Sequence, residues 1–437
     1  MNSSFRSVQI LVDLLKQYHI SNVVLSPGGS DIPLIHSIET DDFFTCYSVV
    51  DERSAAYFAM GVAQQTQKPC ACVCTSGTAV CNYLPGITEA FYQSVPVLAI
   101  TADKNPYFQG QLEIQKIEQS NIFNGVIKKS VSLPVVENEN DEWLCNRLVN
   151  EALLELTHHG AGPVHINIPI VGRTDIYDNK KLPPERKIEW INLENDAKTW
   201  ERFASKLAGC RRVLFVIGQN VCFNNACVAL LNQMYQKCNC VFSVEHLSNL
   251  ACNGCVYTYP VSEINGASSL EKLVPDLVIS VGNNLRPFLR RHYKQMENWL
   301  VTQGTVVRDA YKSLTAVFEV SFERFLTKML ELIPQENQNN GEYARSWENE
   351  LAKIKLPEFG FSNMYVGKRV SEVIPEKSVL HLAILNSTRV MQYYKLAKGI
   401  RTYSNVGALG IDGCVSTFAG QAASTDELAF LIVGDLS

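Results

Sequence analysis

The chain has 437 residues, of which 46% are hydrophobic, which is enough apolar material for several packed cores and predicts two or three domains. Lys and Arg number 39 and Asp and Glu number 44, so the formal charge is -5 and no general attraction to nucleic acid is expected. The composition therefore favours small molecules, or other copies of the same chain, as partners.

The N-terminal segment predicts a folded amphipathic helix. Its apolar residues Phe5, Val8, Leu11, Leu14 and Leu15 recur at helical spacing. The segment lacks the basic lead and unbroken apolar run of a secretory signal peptide, and no stretch elsewhere is long and apolar enough to span a bilayer. We therefore expect a cytoplasmic protein without a membrane partner.

Between this helix and about residue 170, short apolar runs alternate with helical patterns. The runs cover 23–26, 43–50, 70–75, 96–101 and 163–169. Each is too short for a core helix, and most have Gly, Pro or Ser at one edge. Such runs are typical of buried parallel strands with helices between them, so an α/β fold is predicted.

The third of these runs contains three of the 14 cysteines, at Cys70, Cys72 and Cys74. A spacing of two residues places all three on one face of a strand. A thiolate metal cluster is one interpretation, but three ligands on a flat face are poorly arranged for a tetrahedral ion. Buried reduced thiols are the favoured interpretation, and they indicate a reducing cytoplasm rather than secretion.

Two polar stretches predict domain boundaries. The first covers 172–190 and the second 334–341. Further apolar runs lie between them, at 212–218, 240–244, 276–282 and 315–320, and after them, at 378–382 and 428–433. We predict three doubly wound parallel-sheet domains, over 1–175, 190–335 and 343–437. The third domain is small for a doubly wound domain, so it is expected to be truncated.

Four motifs follow predicted strands. They are SPGGS at 26–30, DER at 51–53, TSGT at 75–78 before a helix predicted over 79–93, and GDLS at 434–437. The carboxyl ends of strands in an open α/β sheet face the crevice where ligands bind, and glycines with free helix N–H groups suit an anion. Each motif also fits an ordinary turn or helix cap, so none is decisive alone.

Taken in order, these motifs resemble a known family. The segments SPGGSDIPL, VVDERSAAYFAMGVAQ, CTSGTAVCNYLPGITEA, VPVLAITADK and GPVHINIPI resemble the pyrimidine-binding domain of thiamine-diphosphate-dependent enzymes. The segments YSNVGALGIDGCVSTFAG and LAFLIVGDLS resemble the diphosphate-binding domain of the same enzymes. The resemblance is strongest to the 2-succinyl-5-enolpyruvyl-6-hydroxy-3-cyclohexene-1-carboxylate synthases of menaquinone biosynthesis. Between about 190 and 335 it is general in fold alone.

The resemblance implies a cofactor site with Glu52 as the catalytic residue. A carboxyl group against the aminopyrimidine ring allows the exocyclic nitrogen to act as the base that activates the cofactor. The residues implied to bind thiamine diphosphate are Pro27, Gly28, Ser76, Gly77, Thr78, Ile411, Gly434 and Asp435. Ile411 would support the bend of the cofactor, and Asp435 would bind the Mg²⁺ or Mn²⁺ ion that bridges its phosphates.

The resemblance also implies substrates. A carboligase of this family decarboxylates a 2-oxo acid, 2-oxoglutarate, and adds the product to an acceptor, isochorismate. The candidate substrate residues are Ser30, Lys104, Gln115, Ser387, Arg290 and Arg291. Arginines usual in the family are replaced here by Ser30, Lys104, Met391 and Val406. Each lost charge-assisted pair costs about 1.5 to 3 kcal/mol, so an altered substrate preference is expected.

In this family, different subunits hold the two ends of the cofactor, which implies a homodimer or homotetramer. The family's second side-chain metal ligand, an Asn, lies beyond Ser437, so the chain is expected to bind its cofactor weakly and to be inactive. Two alternatives are a decarboxylase or ligase for another 2-oxo acid and a non-catalytic relative. A nicotinamide dehydrogenase is disfavoured, since no G-x-G-x-x-G follows a strand.

Overall fold

A computed structural model describes residues 2–174, 176–178, 184–219, 223–264, 270–282, 296–304, 306–334, 336, 338–407, 414–423 and 425–434. The chain divides into two compact units, Met1–Ile188 and Glu189–Ser437, and each is described by itself. Within the described ranges, no helix has the length and apolar character needed to cross a membrane.

The first unit is built on a parallel sheet of six described strands in the order β3-β2-β4-β5-β7-β6. These strands are β2 (Asn22–Ser26), β3 (Thr45–Ser48), β4 (Cys70–Cys74), β5 (Val97–Asp103), β6 (Lys129–Ser132) and β7 (Val164–Pro169). A separate antiparallel pair joins β1 (Asn2–Ser3) to β8 (Tyr177–Asp178). All five strands that the apolar runs predict in this unit are present, while β1, β6 and β8 are additional.

Helices cover both faces of this sheet. They are α1 (Arg6–Gln17), α2 (Ile32–Glu39), α3 (Glu52–Thr66), α4 (Thr78–Asn82), α5 (Leu84–Tyr92) and α6 (Glu139–Glu155), with a 3₁₀ turn at Pro106–Phe108. Val23 and Leu25 of β2 pack in the core under α1, α2 and α6, whereas Val24 packs in the core under α3, α4 and α5. This alternation follows from the two-residue period of a strand, and the doubly wound α/β prediction is confirmed.

The single helix predicted over 79–93 is wrong, because the segment forms two helices that meet at Tyr83. Pro85 lies in the first turn of α5. A proline has no N–H to donate and its ring clashes with the carbonyl group four residues earlier, so it is accepted at a helix start and interrupts a continuous helix.

The three cysteines of β4 are fully buried on the face covered by α3, α4 and α5. They are free thiols, as predicted. Burial raises the pKa of Cys70 to about 12 and raises the pKa of Cys72 further. These thiols therefore stay protonated and act as small apolar core residues.

The second unit contains two parallel sheets. The larger has the order β12-β11-β10-β13-β14-β15-β9, and the smaller has the order β17-β16-β18. The strands of the larger sheet are β9 (Glu189–Ile191), β10 (Val213–Ile217), β11 (Cys240–Val244), β12 (Cys255–Tyr257), β13 (Leu277–Val281), β14 (Glu297–Thr302) and β15 (Leu314–Glu319). Those of the smaller sheet are β16 (Val379–Leu382), β17 (Arg401–Tyr403) and β18 (Ala429–Ile432).

The described helices of this unit are α7 (Ala197–Gly209), α8 (Asn225–Lys237), α9 (Tyr259–Ile264), α10 (Phe322–Leu332), α11 (Glu342–Ala352), α12 (Asn363–Val373), α13 (Asn386–Met391) and α14 (Cys414–Ala423), with a 3₁₀ turn at His246–Ser248. Tyr343 and Trp347 of α11 pack in one core with Leu214 and Val216 of β10. The domain limits given above remain predictions, and this packing favours a boundary after α11 rather than before it.

Candidate active site

Three of the four motifs lie along one edge of the first sheet, the edge formed by the carboxyl ends of its strands. Strands β3, β2 and β4 are adjacent and parallel, so the loops that follow them leave from the same end. The strand order reverses between β2 and β4, because β3 lies on one side of β2 and the later strands lie on the other. Connections diverge at such a switch point and leave a crevice for a ligand.

The loop after β2 packs against the loop after β4. The backbone N–H of Ser30 donates to Thr75 Oγ1 at 3.2 Å, and the hydroxyl oxygens of Ser30 and Ser76 are 3.2 Å apart. A Cβ atom added at Gly28 would lie 2.5 Å from Thr75 Cβ, so only glycine fits there. Gly28, Ser30 and Ser76 are therefore brought together, with Pro27 exposed beside them.

Gly77 is held in a backbone conformation that favours glycine, with φ of +82°. Its N–H donates to Gln119 Oε1 at 2.9 Å. A Cβ atom at Gly77 would lie 3.4 Å from Gln115 Cβ, so the exposed Gln115 lies against this loop. Thr78 follows as the exposed first residue of α4.

Glu52 is the first residue of α3, after β3. Asp51 caps this helix by accepting a hydrogen bond from the Ser54 N–H at 2.8 Å, which leaves Glu52 free for another role. Glu52 is half-buried, and its Oε2 accepts a hydrogen bond from Asn82 Nδ2 at 3.0 Å. Its Oε1 makes no hydrogen bond within the described ranges, so one carboxylate oxygen is available to a ligand.

Asp31 is a fully buried carboxyl group at this edge that the sequence analysis missed. Its Oδ1 accepts the Gly28 N–H at 2.8 Å, while its buried Oδ2 has no hydrogen-bond partner in the described part of the chain. Burial raises the pKa of Asp31 to about 7, against two backbone hydrogen bonds that lower it, and the charge of Glu52 raises it further. An acidic residue before a helix suggests a cap, so its sequence position gave no warning.

A buried polar network lies behind the TSGT loop. Lys116 Nζ forms an ion pair with Asp103 Oδ2 at 2.7 Å, and Asn167 Nδ2 donates to the same oxygen at 2.9 Å. Gln119 Nε2 donates to Asn167 Oδ1 at 2.8 Å, so Gln119 joins this network to Gly77. The half-buried Lys104 contacts Asp103 through its backbone N–H at 2.7 Å. Sequence analysis did not identify Gln119 or Lys116.

The remaining candidate residues belong to the second unit. Ser387 is half-buried on α13, and Gly434 is exposed after β18. Ile411, Asp435, Arg290 and Arg291 lie outside the described residues, so their predicted roles stay predictions. Met391 and Val406, at two positions where the sequence resemblance leads us to expect arginine, are buried, with 1% and 7% exposure.

Comparison with known proteins identifies the family. Residues 6–122 match the family "Thiamine pyrophosphate enzyme, N-terminal TPP binding domain". The 2-succinyl-5-enolpyruvyl-6-hydroxy-3-cyclohexene-1-carboxylate synthase of Bacteroides thetaiotaomicron is 37% identical, over 100% of this chain and 79% of its own length. The chain belongs to this synthase family. Synthases of the same name from Bacteroides fragilis and Porphyromonas gingivalis are 35% and 30% identical, again over 100% of this chain and over 79% and 78% of their own lengths.

The resemblance stated from the sequence is thus confirmed. The cofactors of the synthase family are thiamine diphosphate and a divalent metal ion. The region matched at 6–122 contains the SPGGS, DER and TSGT loops, which the fold gathers at one sheet edge.

Proposed function

We propose that the protein is a thiamine-diphosphate-dependent carboligase that decarboxylates 2-oxoglutarate and adds the product to isochorismate in menaquinone biosynthesis. The observation that carries the proposal is the gathering of Glu52, the SPGGS loop and the TSGT loop at the switch point of a sheet. Similarity over the whole chain to synthases of this name supports it. The buried free thiols fit work in a reducing cytoplasm.

The residues present fit the aminopyrimidine end of the cofactor. Glu52 offers an unpaired carboxylate oxygen, and Gly28 and Gly77 keep two loops free of side chains that would block an approach. Ser76 and Thr78 complete this set, next to Pro27. When bound, thiamine diphosphate supplies the electron sink for loss of carbon dioxide and formation of the new carbon–carbon bond. Glu52 would hold a ring nitrogen of the aminopyrimidine and share a proton with it.

The diphosphate end and the metal ion are assigned to the second unit. Gly434, Asp435 and Ile411 remain the proposed residues for this part, with Mg²⁺ or Mn²⁺ on Asp435. The diphosphate is anionic, and burying its negative charges without a cation is costly. A divalent metal ion would compensate them.

The proposed substrate residues are Ser30, Lys104, Gln115 and Ser387, with Arg290 and Arg291 from the stretch after β13. Ser30 and Gln115 gain support from their contacts with the loop after β4. Their side chains are neutral, so Lys104 is the one cationic candidate in this set within the described ranges.

A second candidate function is the decarboxylation or ligation of a different 2-oxo acid. It is favoured by the replacement of the family arginines by Ser30, Lys104, Met391 and Val406. Three of these residues, Ser30, Met391 and Val406, are buried. A non-catalytic relative that retains the fold is the third candidate.

Self-association is also proposed, as a homodimer or homotetramer. Helices α3 and α5 pack against each other and expose Tyr57, Phe58, Leu84 and Tyr92, whose exposed fractions run from 39% to 76%. Leu112, in the loop after β5, is 99% exposed. Large exposed apolar side chains on one pair of helices indicate a surface covered by another chain, and a second copy is the proposed occupant.

The test is an assay of the purified protein with thiamine diphosphate, Mg²⁺, 2-oxoglutarate and isochorismate. Release of carbon dioxide together with a joined product would support the proposal and would contradict the inactivity expected from the sequence. Carbon dioxide without a joined product would favour the second candidate. If calorimetric titration detects no binding of thiamine diphosphate with Mg²⁺, the third candidate, a non-catalytic relative, is favoured. Sedimentation velocity measures the oligomeric state.

A further inference from the structure

Two cysteines of the second unit lie in contact outside the proposed active site. Cys252 and Cys255 belong to the C-x-x-C segment before β12, and their Sγ atoms are 3.2 Å apart. Both are free thiols, and both residues are partly exposed to solvent at the border of the apolar core. This arrangement differs from the thiols of β4, which are sealed in a core.

A tight turn holds the two thiols together. The Cys255 N–H donates to the Cys252 carbonyl oxygen at 3.3 Å, and Gly254 between them has φ of +80°. A left-handed third residue is what a type II turn requires, and such a turn brings its first and last residues close. The backbone therefore brings the two residues close enough for their thiols to touch.

Neighbouring residues of α8 fix this turn in place. The N–H of Asn253 donates to Asn232 Oδ1 at 2.9 Å. A Cβ atom at Gly254 would lie 2.4 Å from Cδ2 of the Tyr235 ring, so this ring closes over the glycine. These contacts hold the turn in one conformation, as a reactive site requires.

The two thiols differ in acidity. The hydrogen bond between the two thiols lowers the pKa of Cys255, although burial opposes this effect. The same hydrogen bond, together with burial, raises the pKa of Cys252. One thiol of the pair is therefore the better source of thiolate, and the thiolate is the form that attacks a disulfide.

We propose that Cys252 and Cys255 form a redox-active dithiol that reacts with low-molecular-weight disulfides. The Cys255 thiolate attacks one sulfur of the disulfide, its S–S bond breaks, and one thiolate leaves and takes a proton. The Cys252 thiol then loses its proton and attacks Cys255 Sγ, which expels the second thiolate. The protein dithiol is oxidised to an internal disulfide, and the small disulfide is reduced to two thiols.

Peptide mapping after treatment with glutathione disulfide tests this proposal. Remaining thiols are alkylated in denaturant, and cleavage after Glu245 and Glu263 releases peptide 246–263, which contains these two cysteines and no other. The peptide is expected to lack two hydrogen atoms and to carry no alkyl group, and prior reduction should return the doubly alkylated form. A doubly alkylated peptide after treatment would overturn the proposal.

Cys81 supplies the matched control, because it is an exposed thiol on α4. It should form a mixed disulfide with glutathione and no internal disulfide, which shows that the reagent was active. The variants Cys252→Ser and Cys255→Ser separate the two steps. Cys252→Ser is expected to accumulate glutathione on Cys255, and Cys255→Ser to react more slowly. Equal rates would overturn the assignment of Cys255 as the attacking thiol.

Discussion

Glu52 and Asp31 are two carboxyl groups at one sheet edge in different surroundings. Glu52 is half-buried at the start of α3 with a hydrogen bond from Asn82, whereas Asp31 is fully buried with one oxygen unpaired. A helix start favours a negative charge, while burial without a partner disfavours it. Burial therefore raises the pKa of Asp31 to about 7.

Replacing Glu52 tests the proposed activation of the cofactor. Glu52→Gln keeps the side-chain shape and an acceptor for Asn82 but removes the carboxylate, so kcat/KM is expected to fall by at least about 100-fold. The free energy of unfolding should change by less than about 1 kcal/mol. Steady-state rates and denaturant unfolding measure the two effects. Glu89→Gln, on the exposed surface of α5, is the control and should leave the rate unchanged; a similar loss there would contradict the role of Glu52.

Asp31 gives a prediction for pH. Between its ordinary pKa of 3.8 and its raised pKa of about 7, the folded protein retains a proton that the unfolded chain has released. The folded state binds more protons than the unfolded chain in this window, so the contribution of Asp31 to the free energy of unfolding falls as pH rises. Relative to the parent protein, the free energy of unfolding of Asp31→Asn is expected to rise by roughly a few kcal/mol as pH increases from about 4 to about 8. Denaturant unfolding of both proteins across this range measures the effect. A difference in the free energy of unfolding that stayed constant with pH would contradict the prediction.

At the scale of elements, the contact between α3 and α5 depends on a glycine. A Cβ atom at Gly86 would lie 2.6 Å from Ala56 Cβ and 3.0 Å from its backbone carbon. Gly86→Ala is therefore expected to destabilise the protein by about 1 to 3 kcal/mol through overpacking. Gly61→Ala is the matched control on α3, since nothing lies within 4 Å of its added Cβ, and it should stabilise by about 0.5 to 1 kcal/mol. Thermal or denaturant unfolding compares the two variants, and equal effects would argue against the tight contact.

The buried ion pair of Lys116 and Asp103 joins the end of β5 to the loop that follows it. Lys116→Met leaves the Asp103 carboxylate buried without its cation, so a loss of about 3 to 5 kcal/mol is expected. The double change Lys116→Met with Asp103→Asn should lose less, because no charge remains. Arg369→Met removes the exposed pair with Glu372 and should lose less than about 1 kcal/mol. Chemical denaturation measures all three, and a single variant no worse than the exposed control would contradict the buried pair.

Sequence patterns predicted the elements unequally. Strand β11 has the predicted limits 240–244, because it is a short apolar run in which Ser243 is the one polar residue. Strands β9, β12 and β17 were not predicted, since three residues give too short a pattern to separate from a loop. Strand β14 was not predicted because it starts with Glu297 and Asn298, whose partners come from distant parts of the chain.

The same limit applies to the site. Glu52 and the two glycine loops follow predicted strands, so their place at one edge could be inferred from α/β topology. Asp31 and Gln119 could not be found in this way. Gln119 meets the distant Gly77 and Asn167 only in the folded chain. Asp31 accepts from Gly28, only three residues away, and this local contact gives no sign that its carboxyl group is buried.

At the scale of the whole molecule, each unit contains its own cores. Both apolar clusters of the first sheet draw their buried residues from within Met1–Ile188. A fragment of residues 1–188 is therefore expected to fold alone, with a cooperative urea transition followed by circular dichroism. A fragment of residues 1–160 lacks β7, which lies between β5 and β6, and should not fold. Gradual unfolding of the longer fragment would contradict this prediction.

The larger sheet of the second unit is completed by its earliest strand. β9 (Glu189–Ile191) pairs in parallel with β15 (Leu314–Glu319), so Ala316 lies opposite Glu189. On the ribosome, the first described strand of this sheet emerges long before β15, the strand with which it pairs. It must wait unpaired while the intervening chain is synthesised, and closing so long a loop is slow. Translation speed across this stretch thus sets how long an open strand edge is exposed to other nascent chains.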